Sequence, residues 1–241
     1  MFSFTEDTFE QAVVELFENM GYTHIYAPDM NRTDYSRPLL DDVLRDCLVR
    51  LNRSLPAVAI DEAILKLNDF DAGSLLQKNI IFMDYLQNGI TVKYAVKGEE
   101  RSSVVKLIDY ADADKNDFYV VNQYTFVENG NNRRPDITLF INGMPLVLME
   151  LKSPSKDEVG AENAYNQIRN YMQDIPSMFY YNAICVISDL STPPTKQVRL
   201  LPGLTVLWNG KQKTVIMKTL RMRSLIPSMR ECSRKSGCWT S

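Results

Sequence analysis

Apolar residues recur along this chain first with a period near 3.6 and then with a period of two, and the change falls near residue 90. Thr5 can cap an opening helix, with Glu6 and Asp7 in its first turn and Gly21 beyond its last. The apolar face of that helix takes Phe9, Val13, Leu16, Phe17 and Met20, and Glu10 lies beside it. A second helix is signalled by Ser36 ahead of Arg37-Pro38 and carries Leu39, Leu40, Val43, Leu44, Cys47, Leu48 and Leu51. Shorter helical patterns run from Ala57 to Leu67 and from Gly73 to Gln87. Beyond Ile90, Thr91–Val96 and Val104–Ile108 read as strands, and Phe118–Val127 as a longer one. Asp136–Ile141 and Leu146–Lys152 form two more, joined by Asn142-Gly143, the strongest short-range hairpin signal. Pro154 stops the second of these; a helix from Gly160 to Asp174 and a buried strand Ala183–Ser188 follow. Helices, a β-meander, a helix and a strand predict a mixed α/β (α+β) fold, a central mixed sheet flanked by helices.

Composition narrows the function. With 241 residues, 45% hydrophobic and 24% charged, the chain has the balance of a globule with one large domain, or one domain and an extension. No apolar run approaches the roughly 18 residues of a membrane span, and the first ten residues are acidic where a signal peptide would be basic. Cys47, Cys185, Cys232 and Cys238 are scattered without a CxxC pair, so neither a zinc ribbon nor a disulfide framework is expected, and a reduced, cytoplasmic setting is the default. His24 is the single histidine, which excludes a Ser-His-Asp triad unless it serves; following the Gly21-Tyr22 helix end, it reads as structural and without partners. No GxxxxGK[ST] or GxGxxG run offers a nucleotide-binding loop. The net charge of −3 hides an asymmetry: residues 1–194 hold 17 basic and 29 acidic side chains, a net of −12, whereas residues 195–241 hold 10 and one, a net of +9.

The residues that carry chemistry are Pro135-Asp136 and Glu150-Leu151-Lys152. Glu150 and Lys152 are two apart on a strand that looks buried on both sides, so they share a face. Charges at the end of a core strand cost several kcal/mol unless paired or bound to an ion. Two carboxylates and a lysine at a sheet edge form the hard, oxygen-rich site that Mg²⁺ uses, and the chemistry it supports is phosphodiester hydrolysis. A structural ion-pair cluster is the alternative. A two-residue Asn142-Gly143 turn pairs Asp136 with Met149 and puts the carboxylates on opposite faces; a three-residue loop, or one bulge, puts Asp136 opposite Glu150. We therefore expect an odd register, with residues 142–144 as the loop. Phe118, Tyr119, Tyr124 and Phe126 have strand spacing and read as core rather than as a base-stacking platform.

The run RRPDITLFINGMPLVLMELKSP (133–154) closely resembles the nuclease domain of type I restriction enzyme R subunits, a PD-(D/E)xK family. FTEDTFEQAVVELFENMGY, YSRPLLDDVLRDCLVRLN, NDFYVVNQYTFVENG, AYNQIRNYMQDIPSMFYYNA and CVISD extend the resemblance over about residues 3–190. It implies a restriction-endonuclease-like core and a domain at 1–190. By position, it makes Asp136, Glu150 and the Leu151 backbone carbonyl the Mg²⁺ ligands and Lys152 the catalytic lysine. Gln167 and Tyr171 match the QxxxY motif and share a helical face, as an ordinary amphipathic surface also would. Glu10 resembles the first-helix glutamate that assists the metal, with a solvated helix edge as the alternative. Arg133 and Arg134 could hold DNA phosphates or be solvated loop charge.

The implied activity is that of a type I site-specific endonuclease cutting unmodified double-stranded DNA. It would work within an ATP-dependent complex with methyltransferase and specificity subunits, away from membranes. The rival readings are a stand-alone PD-(D/E)xK nuclease on structured DNA and a non-catalytic assembly module. No ATP-driven motor domain of the family is expected within these 241 residues, and residues 191–241 read as a basic tail without a family-like fold. Codons for residues 196–209 can be chosen so that the adjacent frame spells family-like sequence, so a frameshift is one reading of this segment, beside a basic DNA-binding tail and a cloning scar. A body at −12 would grip DNA poorly by itself, since nonspecific affinity comes from neutralising phosphates.

Overall fold

The computed structural model describes residues 5–151, 159–188, 196–201 and 204–208. Helix α1 (Glu6–Asn19) starts where Thr5 caps it, the hydroxyl accepting the Thr8 amide at 3.2 Å. Its buried face is Phe9, Val14 and Phe17, with Val13 and Met20 at the margin. Leu16, expected inside, is 39% exposed: the helix rolls toward Val14 to meet strand β1 (Thr23–Tyr26) and the sheet. Helix α2 (Asp41–Leu51) begins five residues beyond Ser36, which instead closes a turn on the Asp34 carboxylate. Helices α3 (Ala57–Asn68) and α4 (Leu75–Asn88) follow as read, the latter opened by a Ser74/Gln77 capping box.

Strands β2 (Ile90–Val96) and β3 (Glu99–Val105) form a separate two-stranded sheet. β3 ends where the sequence reading had a strand begin, because its first residues are exposed and polar and leave no apolar pattern to read. The expected long strand 118–127 is two, β4 (Phe118–Asn122) and β5 (Phe126–Glu128), broken at Gln123, whose φ is +58°. β6 (Asn131–Arg133) pairs with β5. β7 (Ile137–Ile141), β8 (Met144–Leu151), α5 (Val159–Asp174), a short α6 (Pro176–Tyr180), β9 (Ile184–Ser188), β10 (Lys196–Leu201) and β11 (Leu204–Trp208) complete the order.

The main sheet runs β1-β4-β7-β8-β9-β10-β11. β1–β4 and β8–β9 are parallel and the other pairs antiparallel, so the sheet is mixed, as expected. One face packs against α1–α4 through Val120, Leu139, Val147, Met149 and Val186; the other packs against α5 and α6 through Val121, Phe140, Leu148, Cys185 and Ile187. Burial on both faces is why β7 and β8 read as continuous apolar runs, and all eight residues of β8 are buried. Tyr124 and Phe126 are fully buried and Phe118 and Tyr119 pack against the cores, so the aromatic run is core.

Candidate active site

The hairpin that builds the site turns at Asn142-Gly143, both at positive φ (+52° and +81°), the geometry of a two-residue primed turn rather than the expected loop of 142–144. The odd register arises instead from a bulge. Ile141 faces Met144 and Phe140 faces Pro145, but Leu139 faces Val147, leaving Leu146 as the extra residue. Pro145 has no amide hydrogen to give the ladder, which makes this the natural place for the ladder to break. Leu146 and Val147 then both point to the α1–α4 core, and the Leu146 carbonyl accepts the Ala183 amide at 2.8 Å.

Beyond the bulge, Ile137 pairs with Met149, so the next residues, Asp136 and Glu150, are opposite each other on the α5 face. Asp136 is half-buried, and one carboxylate oxygen accepts the Leu151 amide at 2.7 Å. Glu150 is 1% exposed. The amide of Gln167 donates to the Glu150 carboxylate and to the Tyr171 hydroxyl, the latter at 2.7 Å. Gln167 and Tyr171 are thus joined over the site by their i, i+4 spacing on α5. Burial first, and then the charge of Glu150, push the Tyr171 phenol up to about 12, so it stays protonated at neutral pH.

Glu10 is no solvated edge. Its carboxylate accepts the side-chain amides of Asn122 at 2.8 Å and Gln123 at 2.6 Å, and the Gln123 backbone amide donates to the Asp136 carbonyl at 3.1 Å. His24, expected to stand without partners, lies 2.9 Å from the Asn122 side-chain oxygen. Asn122 and Gln123 are the residues that sequence reading passed over; two amides directly after the apolar run Phe118–Val121 were the available signal. Arg133 grips Asp174 through Nε (2.8 Å) and Nη2 (2.5 Å), and its side chain stays 40% exposed at the edge of a polar recess. Arg134 is exposed and lines a polar recess beside Gln167. Lys152 lies outside the described residues.

Among the described residues, no three His, Cys, Asp or Glu side chains gather into a closed metal cage. The donors present are the hard oxygens of Asp136 and Glu150 with the adjoining Leu151 backbone. That set fits Mg²⁺, which is held by one or two carboxylates and keeps much of its water, better than a soft-ligand metal.

A mixed sheet with helices on both faces, carrying paired carboxylates on a central hairpin under a Gln-xxx-Tyr helix, defines a PD-(D/E)xK, restriction-endonuclease-like core. Residues 3–192 match the family described as Type I restriction enzyme R protein N terminus, and the chain belongs to that family. It is 32% identical over 192 residues to the type I restriction enzyme HindI endonuclease subunit of Haemophilus influenzae, covering 76% of this chain and 18% of that protein. It is 31% identical over 191 residues to a provisionally named type I restriction enzyme MjaIXP endonuclease subunit of Methanocaldococcus jannaschii, covering 75% and 18%. A Staphylococcus aureus type I endonuclease subunit, SauCOLORF180P, is 34% identical over 124 residues. The chain thus spans about a fifth of the length of the first two relatives. No helix among the described residues is long and apolar enough to cross a membrane.

Proposed function

We propose that residues 1–190 are the Mg²⁺-dependent endonuclease domain of a type I restriction R subunit, hydrolysing phosphodiester bonds of unmodified double-stranded DNA. The observation that carries this reading is the bulge-set opposition of buried Glu150 and half-buried Asp136, with Gln167 bonded to Glu150. Asp136, Glu150 and the Leu151 carbonyl would hold the metal. Mg²⁺, when bound there, polarises the phosphodiester and stabilises the departing oxyanion. Gln167 orients the Glu150 carboxylate, and the Leu151 amide orients that of Asp136. Lys152 orients the attacking water and helps take its proton. Glu10, held by Asn122 and Gln123, supports the same end of the sheet. The excess of acid over base in residues 1–194 leaves DNA delivery to ATP-driven motor domains and to the methyltransferase and specificity subunits of a cytoplasmic complex.

Calorimetry of Mg²⁺ binding is the first test. Binding lost in Asp136→Ala and kept in Lys152→Ala is expected, followed by loss of DNA cleavage in both when the chain is assembled with its complex. Cleavage that survives Asp136→Ala would sink the reading and leave the carboxylate pair a structural cluster.

A further inference from the structure

A polar recess of about 500 Å³ opens between α5 and the segment at and just after β6. Its lining carries the amides of Asn132, Asn166, Gln167 and Asn170, the guanidinium groups of Arg133 and Arg134 and the Tyr171 hydroxyl, with no carboxylate among the described lining residues. That composition runs against the rest of the body, where residues 1–194 hold 17 basic and 29 acidic side chains. Its size lies in the range of pockets that seat small molecules. The walls are tied together by Asp174, whose carboxylate holds Arg133 and whose carbonyl accepts the Asn131 side-chain amide at 3.4 Å. Through Gln167 and Tyr171 the recess adjoins the Glu150 carboxylate.

Asn166 and Asn170 are exposed and one turn apart on α5. Asparagine is a poorer helix former than the Ala, Lys or Glu that usually fill a solvent face, so helix formation alone would not select two of them there. An amide both donates and accepts, as base edges require, and it can donate to the acceptor oxygens of deoxyribose, whereas a guanidinium suits phosphate oxygens.

We propose that this recess seats the nucleotide adjoining the bond to be cut, with Asn166 and Asn170 bonding its sugar or base edge and Arg134 a flanking phosphate. The assignment rests on the nuclease reading of Asp136 and Glu150. It makes Asn166 and Asn170 contacts to the substrate strand, and it gives α5 a second role beside orienting Glu150.

The test is binding of a short labelled DNA duplex to the full chain by fluorescence anisotropy, in EDTA, over a salt series that starts low. Asn166→Ala/Asn170→Ala should bind about tenfold more weakly, the loss of two net hydrogen bonds, with an unchanged salt slope because neutral groups displace no counterions. Arg134→Ala should weaken binding and reduce the slope by about one. Arg169→Ala, on the same helix and outside the lining, removes an equal charge and should change affinity by less than about twofold. Asp136→Asn and Glu150→Gln should lose Mg²⁺ binding while holding DNA at least as tightly as wild type. Failure of the metal site is therefore distinguishable from failure of the recess. Wild-type affinity in the double asparagine variant, or no measurable binding by wild type at the lowest salt, would overturn the proposal. Circular dichroism should show all variants folded, since the substituted side chains are exposed or conservatively replaced.

Discussion

The β2–β3 and β7–β8 hairpins both turn through two residues of positive φ: Lys97-Gly98 at +54° and +85°, and Asn142-Gly143 at +52° and +81°. From there they diverge. β2 and β3 pair without interruption from Val96–Glu99 to Ile90–Val105, with most of β3 exposed. β7 and β8 are buried throughout and carry a one-residue bulge at Leu146. The same turn chemistry thus serves a peripheral flap and the scaffold of a candidate active site. What separates them is burial on both faces, which forbids the slip that would send Glu150 into the apolar α1–α4 side. The buried hairpin is also anchored at its tip. Asn142 accepts the Asp117 amide and donates to the Leu107 carbonyl and the Asn116 side chain, and the Gly143 carbonyl accepts the Leu40 amide at 2.9 Å.

Matched substitutions in the two hairpins test this contrast. Leu146→Ala, at a fully buried bulge position, should cost about 2–5 kcal/mol, whereas Val104→Ala, 49% exposed in β3, should stay within about 0.5 kcal/mol, both read by urea unfolding. Deleting Leu146 outright should be comparably costly and yet keep Mg²⁺ binding, because a continuous ladder from the same turn still sets Asp136 against Glu150. Loss of Mg²⁺ binding in a folded deletion variant would show that the bulge itself shapes the site.

Next in size is the glycine pair. A Cβ on Gly143 would meet the Leu40 carbonyl oxygen and the Leu44 amide nitrogen at 2.7 Å, while one on Gly98 meets nothing within 4 Å. Both alanine variants incur the left-handed backbone penalty of about 1–2 kcal/mol, and Gly143→Ala adds overpacking, for about 2–4 kcal/mol in all. Equal losses of stability in the two would break the comparison. Asn142→Ala strands buried partners and should cost about 1–3 kcal/mol, against well under about 1 kcal/mol for Lys97→Ala.

The smallest effect concerns the roof over the buried hairpin. The Tyr171 phenol is raised from its ordinary 10 to about 12, so the folded state holds this proton more tightly than the unfolded chain does. Its contribution is complete below about pH 10 and lost as pH climbs toward 12. Tyr171→Phe should therefore lessen the alkaline fall in Tm, by an amount equivalent to about 1 kcal/mol, with other groups that burial pushes up, among them Tyr110, Tyr124, Tyr181, Cys47 and Cys185, left to supply the remainder. An unchanged alkaline limb in this variant would argue against its burial beside Glu150.

Much of the site could be read along the chain because its parts are local. Asn-Gly between apolar runs announced the hairpin, and the spacing of Asp136 and Glu150 about it demanded an odd register. The i, i+4 pair Gln167 and Tyr171 did land on Glu150. The hairpin's device was misjudged: a bulge after Pro145 rather than a longer loop, two solutions with the same register arithmetic that only packing against Ala183 and the α1–α4 core separates. The β1–β4 parallel pair left no mark, since Thr23–Tyr26 is short and half-exposed, and with it went the partner of His24. Glu10 could be suspected, but the amides that hold it are more than a hundred residues away.

Period, turn residues and buried charge, all short-range properties, were enough to define the mixed fold, the β7–β8 hairpin and its acidic pair. The tertiary structure alone decided how Glu10 is held, that Arg133 is tied to Asp174 where it and Arg134 line a recess, and that α5 closes over Glu150. Those choices depend on groups distant in sequence competing for the same few hydrogen-bonding partners, and that competition is resolved only when the sheet assembles.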